Sequence, residues 1–327
     1  APEGAVRAAH PRAVRTAGRG ASGCRAEGAA PALDAALGSA LDAEGAGAEH
    51  EGGSAAPVRV DLEPFLHSAR RAHELLDAEE VAAAAEAAGE ELRERLAGDP
   101  AALDAALARF ARLEDPVELG ALAAVLGRIA DPAVEGFAAD LALRGTPAQR
   151  AAALDVLDAL DLPSAREVAL SALRSARDPA VRRAALRALP PVAGLDRAGA
   201  RAVRDALAPV LASEPDPEAR RLAVLSWAAH ADGPEDLAPV LDALSTDPDP
   251  RVRSGAAFGL ELRGERAAAV FSALERALRE DPEPGVQETA WRALLALSPL
   301  PPSARAAAVA YEEARAEGLE GGAAPSR

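Results

Sequence analysis

The stretch Asp247–Gly264, DPDPRVRSGAAFGLELRG, decides how this chain folds. Asp249 can accept hydrogen bonds from the free N–H groups that open a helix, and Pro250 suits a first turn because it has no N–H to leave unpaired. Val252, Ala256 and Leu260 then stand four apart and form one apolar stripe, while Arg251, Arg253 and Glu261 fall on faces open to water. Gly264 predicts the stop.

The same start recurs at Asp115-Pro116, Thr146-Pro147, Asp178-Pro179, Asp216-Pro217, Asp249-Pro250 and Glu283-Pro284, with spacings of 31, 32, 38, 33 and 34 residues. Seven residues after each start stand Leu122, Ala153, Ala185, Ala223, Ala256 and Ala290. Eleven after it stand Leu126, Leu157, Leu189, Trp227, Leu260 and Leu294. The small column lets helices approach closely and the large one fills the space between them, so the two predict a buried face. A near-constant period of this length marks a solenoid, in which no unit buries its own face and stacking does so instead.

DPAVRRAALRALPPVAG at Asp178–Gly194 and the Asp247–Gly264 stretch resemble HEAT repeats of the bilin-lyase-like subtype, whose second helices open Asp-Pro-x-Val-Arg. The resemblance extends over about Asp99–Ser298. Glu118 and Gln149 replace the Val, Leu119 and Gln287 replace the Arg, and Glu283 replaces the Asp. It implies an all-α fold: a right-handed α-solenoid of about six HEAT-like helix pairs with N- and C-terminal capping helices and the second helices on the concave side.

Composition agrees with an all-α reading. Aromatics are 2% of the 327 residues, and the apolar content is largely Ala, Leu and Val, led by the best helix former. Lys, Asn and Met do not occur. Lacking Lys, the chain can hold neither a Walker-type phosphate loop nor a Schiff-base or pyridoxal-phosphate centre. Cys24 is the only cysteine, so an internal disulfide is excluded. The absent initiator Met means that Ala1 follows processing, truncation or a fragment boundary. No apolar run approaches the roughly 18 residues that span a bilayer. The formal net charge is −16, yet residues 1–25 carry five Arg against Glu3 alone. A basic arm on an acidic body makes neither nucleic acid nor an anionic membrane the expected partner.

The domain reading is a disordered, basic, Gly/Ala-rich arm over 1–57, capping helices over 58–98, the repeat array over 99–300, a capping helix over 301–319 and a disordered tail over 320–327. Within the arm, Pro31–Asp42 has short helical character. Gly18, Gly20 and Gly23 spell G-x-G-x-x-G without the strand and amphipathic helix that give that motif meaning. Ala21–Cys24 resembles a lipoprotein box, but Arg12, Arg15 and Arg19 stand where its apolar segment should be. His67 and His73 lie six residues apart, about 240° round a helix, and read as surface histidines and not as a metal pair.

Four residues after the start, Arg150, Arg182, Arg220 and Arg253 form a ladder read as scaffold, pairing with acidic cap residues. Trp227 reads as core, and Trp291 as packed against the next helix. Positions that vary freely between repeats on the second helices are the binding candidates: Arg183, Arg187, Arg221, Arg251, Phe258 and Arg292, expected on the concave face as a partly positive strip. The longest spacing, with Pro190-Pro191, suggests a change of curvature beside its densest part. The function this supports is a non-enzymatic scaffold or adaptor for a protein or peptide, with no cofactor or metal, no nucleic acid partner, and the cytoplasm favoured while a removed signal peptide stays open. The alternatives are a bilin-lyase-like enzyme or chaperone, implied only by the repeat subtype, and a nucleic-acid-binding HEAT-like protein, which only the Arg strip or the basic arm would support.

Overall fold

The start signals become helix caps. In the computed structural model, which describes residues 60–74, 79–162, 164–189 and 196–321, Asp99, Asp115, Asp131, Asp178, Asp216 and Asp249 each accept one or more hydrogen bonds from first-turn N–H groups of a helix opening on proline. Thr146 forms a reciprocal capping box with Gln149. Gly264 closes its helix with φ +69, the left-handed conformation that glycine takes without a Cβ penalty.

The described residues are helical throughout, without a strand. Two helices, α1 (Glu63–Glu74) and α2 (Glu79–Gly98), precede six helix pairs. The pairs are α3 (Pro100–Phe110) with α4 (Pro116–Leu126), α5 (Pro132–Arg144) with α6 (Pro147–Leu160), and α7 (Ala165–Ser175) with α8 (Pro179–Arg187). They continue as α9 (Arg197–Ser213) with α10 (Pro217–His230), α11 (Ala238–Thr246, after a 3-10 turn over Pro234–Leu237) with α12 (Pro250–Arg263), and α13 (Ala268–Glu280) with α14 (Pro284–Ala296). A last helix, α15 (Pro302–Gly321), packs on α13 and α14.

Each second helix packs on the next, α4 on α6, then α8, α10, α12 and α14. This stacking, with an apolar face in every unit, makes the fold an α-solenoid. The seven-residue column is wholly buried in all six repeats, at 0% exposure. The eleven-residue column is buried in five. Trp227 is the exception: it is half-buried, its indole N–H donating to the Asp236 carbonyl at 2.7 Å, so its size keeps one edge at the surface.

Where polar residues replace the repeat's Val they are still buried and are satisfied. Glu118 pairs with Arg70 of α1 at 3.0 Å, and Gln149 donates to the carbonyls of Ala111 and Leu113 at 2.8 and 3.1 Å. The core has two sections that meet at α10, one running from Leu62 to Ala223 and the other from Val224 to Ala307, with Leu211 and Trp227 touching both. Buried Arg204 of α9 ties this joint together, donating to the His230 carbonyl and pairing with Asp236 at 3.1 Å.

The α3 and α4 helices stop at Phe110 and Leu126, where Leu113 and Ile129 turn inward in tighter bends. The last helix continues to Gly321, beyond 319. The arm over 1–57, with its glycine motif, Cys24 and Pro31–Asp42, lies outside the described residues, as do Asp77, Pro190-Pro191 and 322–327.

Candidate functional site

The array's arginines fall into two sets. Arg253 of α12 donates from Nε and Nη2 to both carboxylate oxygens of Asp281, at 2.7 and 2.9 Å, and from Nη1 to the Asp247 carbonyl ahead of its own helix at 2.9 Å. Arg220 of α10 repeats this with Asp247, at 2.8 and 3.0 Å, and with the Glu214 carbonyl at 2.9 Å. Arg182 of α8 does so with Glu214 and the Arg177 carbonyl.

Each carboxylate also accepts from the N–H of the residue two places on: Glu214 from Asp216, Asp247 from Asp249, Asp281 from Glu283. One fork therefore fixes a second helix, its own entry loop and the entry loop of the next repeat. Burial pushes the Asp281 carboxyl up, but the Arg253 hydrogen bond, the Glu283 N–H and the Arg253 charge outweigh it and hold the group below its ordinary value. Burial and Arg182 act on Glu214 in the same opposing way, again with a net lowering.

The acids of these rungs are not the cap residues. They stand two places earlier, in the doubled acid-Pro signals Glu214-Pro-Asp-Pro, Asp247-Pro-Asp-Pro and Asp281-Pro-Glu-Pro. The first acid takes the preceding repeat's arginine, and the second faces its own helix, capping it with its side chain where it is Asp216 or Asp249. That doubling was readable in the sequence and is the signal a search for caps alone overlooks. Arg150 meets Ala176 where the acid would be, and donates instead to the Ala142 carbonyl and Ser175 Oγ. In the last repeat, Gln287 keeps only the carbonyl contact, to Asp281, at 2.7 Å.

The second set lies on the open positions of the second helices. Arg183 pairs with Asp216, Arg187 with Asp155 at 2.6 Å, Arg221 with Glu218 at 2.7 Å and Arg251 with Asp249 at 3.0 Å. The strip is thus largely charge-balanced, not a run of free cations. Arg292 differs, making no ion pair or hydrogen bond among the described residues.

Four of the six candidates converge on one open groove of about 570 Å³ between α12 and α14: Arg221 reaches it from α10, Arg251 and Phe258 from α12, and Arg292 from α14. Arg183 and Arg187 do not line it. Two glycines give the groove its form. A Cβ on Gly255 would sit 2.7 Å from Arg221 Cγ, so its absence lets that arginine lie across α12, while a Cβ on Gly285 would meet nothing within 4 Å. Ser254 and Thr289 hydroxyls are hydrogen-bonded to each other at 2.8 Å and span the two helices.

Trp291 faces away from this groove, against Tyr311 of α15 with ring centroids 6.0 Å apart, and Arg315 covers its ring. His67 and His73 are exposed, and no group of three or more His, Cys, Asp or Glu among the described residues could hold a metal ion. No helix of the described residues is long and apolar enough to cross a membrane.

A family model described as HEAT repeats matches residues 168–261 and 237–313. Residues 168–313 carry HEAT repeats. The matched part of the HEAT array runs from α7 into α15 and so contains all three bidentate rungs and the groove. No curated protein matches the chain. Among solved structures, human deoxyhypusine hydroxylase in complex with glycerol matches at 19% identity, covering 72% of this chain and 97% of that one, with a TM-score of 0.29. A likeness that distant carries nothing over to the HEAT array's chemistry.

Proposed function

We propose that the HEAT array is a non-enzymatic scaffold or adaptor that binds a protein or peptide segment along its second helices. The observation that carries this reading is the convergence of Arg221, Arg251, Phe258 and Arg292 on one groove, from three successive second helices. These positions are the ones repeat packing leaves free to vary, and what they offer is guanidinium donors beside an aromatic face. That combination suits recognition by shape and charge.

The test fills the groove without disturbing the fold. Gly285 lies in the first turn of α14 with open space beyond it, so Gly285→Leu adds a side chain to the groove and none to the core. Peptides selected by display against the full chain should bind the Leu variant at least about tenfold more weakly, or ~1.4 kcal/mol. Peptides that bind both forms equally would overturn the groove as the binding site.

A further inference from the structure

We propose that the α12–α14 groove recognises an acidic, extended segment in which a carboxylate and a large apolar side chain alternate two positions apart, an inference that rests on the groove being a binding site. Arg221 and Arg251 each commit Nε and Nη2 to one carboxylate, Glu218 and Asp249, which fixes their planes and leaves Nη1 without a protein acceptor among the described residues. Arg292 has its whole guanidinium uncommitted. Glu218 and Asp249 neutralise Arg221 and Arg251, so Arg292 is the groove's uncommitted cation, with Glu283 the acid in its lining. A planar carboxylate matches the Arg292 fork, and the uncommitted Nη1 groups of Arg221 and Arg251 are single further donors.

The apolar part follows from what stands one turn further along each helix. Leu262, four residues after Phe258, is 67% exposed, and Leu295, three after Arg292, is 45% exposed. Residues three or four apart share a helix face, so Leu262 stands about 6 Å of rise beyond Phe258 and Leu295 about 4.5 Å beyond Arg292, next to the groove and not in its lining. Alternate residues of an extended chain point the same way and lie roughly 7 Å apart, which sets the spacing of two. The body around the groove is strongly acidic, with a net charge of −16 over the whole chain, and it disfavours a long polyanion. A short acidic segment meets the arginines without that repulsion.

The experiment is a display selection of random peptides on the full chain, followed by affinity measurement of one enriched peptide against the Arg292→Glu, Phe258→Ala and Gly285→Leu forms. The expected enrichment is Asp or Glu with Leu, Ile, Phe or Trp two positions away. Affinity should fall about tenfold or more on Arg292→Glu and recover in part when the peptide's acid is changed to Lys. Enriched peptides that are neutral or basic, yet weakened by Phe258→Ala and Gly285→Leu, would overturn the acidic specificity and leave the binding site standing. Peptides indifferent to all three substitutions would overturn both.

Discussion

Arg220 and Arg221 are neighbours on one helix and serve opposite ends. Arg220 lies along the repeat seam, its side chain 14% exposed, forked onto Asp247 of the next entry loop. Arg221 crosses Gly255 to a groove, pairing only with Glu218 one turn away on its own helix. The same contrast separates Arg253 from Arg251. Burial decides the outcome, since both forks are bidentate at similar distances: a desolvated pair is costly to break, while an exposed pair contributes about 0–1 kcal/mol.

The largest effect follows from removing half of a rung. Arg253→Ala leaves the Asp281 carboxylate with the Glu283 N–H alone and the Asp247 carbonyl without its arginine donor, and should lower unfolding free energy by about 3 kcal/mol in urea titration. Asp281→Asn combined with it should cost much less than the two single losses added, because the two groups share one interaction.

Acid should erase this difference. Asp281 and Glu214 have folded-state values held below their ordinary ones, so the stability they contribute is complete above the ordinary carboxylate range of about pH 4 and is lost as pH falls through the lower folded values. The gap between the native chain and Arg253→Ala should narrow steadily below about pH 4 when both are unfolded by urea at a series of pH values.

A smaller effect distinguishes two acids two residues apart. Asp249→Ala removes a cap and an exposed pair with Arg251, at a cost of about 1 kcal/mol, whereas Asp247→Ala breaks the rung with Arg220 and should approach the Arg253→Ala loss. The least effect is expected at Arg292. Since nothing in the described residues pairs with it, Arg292→Met should shift stability by no more than about 0.5 kcal/mol while weakening any ligand of the groove.

The sequence exposed the parts of this molecule that repeat. The Asp-Pro starts, the small column and the large column gave the helix pairs, and each of the small column's residues is fully buried. Pairings across repeats were harder to read, because their sequence separations vary. Arg182 reaches Glu214 over 32 residues, Arg220 reaches Asp247 over 27 and Arg253 reaches Asp281 over 28. A fixed period does not find partners at changing offsets, although the doubled acid-Pro signal marks them.

The groove was legible only as a set of free positions. Which of those arginines converge depends on Gly255 and Gly285, whose missing side chains leave no periodic trace. Trp227 departed from its column because an indole is too large for the space a leucine fills, and its N–H found a carbonyl at the edge.

The comparison comes to its sharpest point at two adjacent residues. Urea unfolding of Arg220→Met and Arg221→Met, measured side by side in the full chain, separates an arginine that holds repeats together from one that faces a groove. The expected result is a loss of about 3 kcal/mol for Arg220→Met and less than about 1 kcal/mol for Arg221→Met. Equal losses, or a larger one at Arg221, would contradict the division of the array into a structural seam and a binding face.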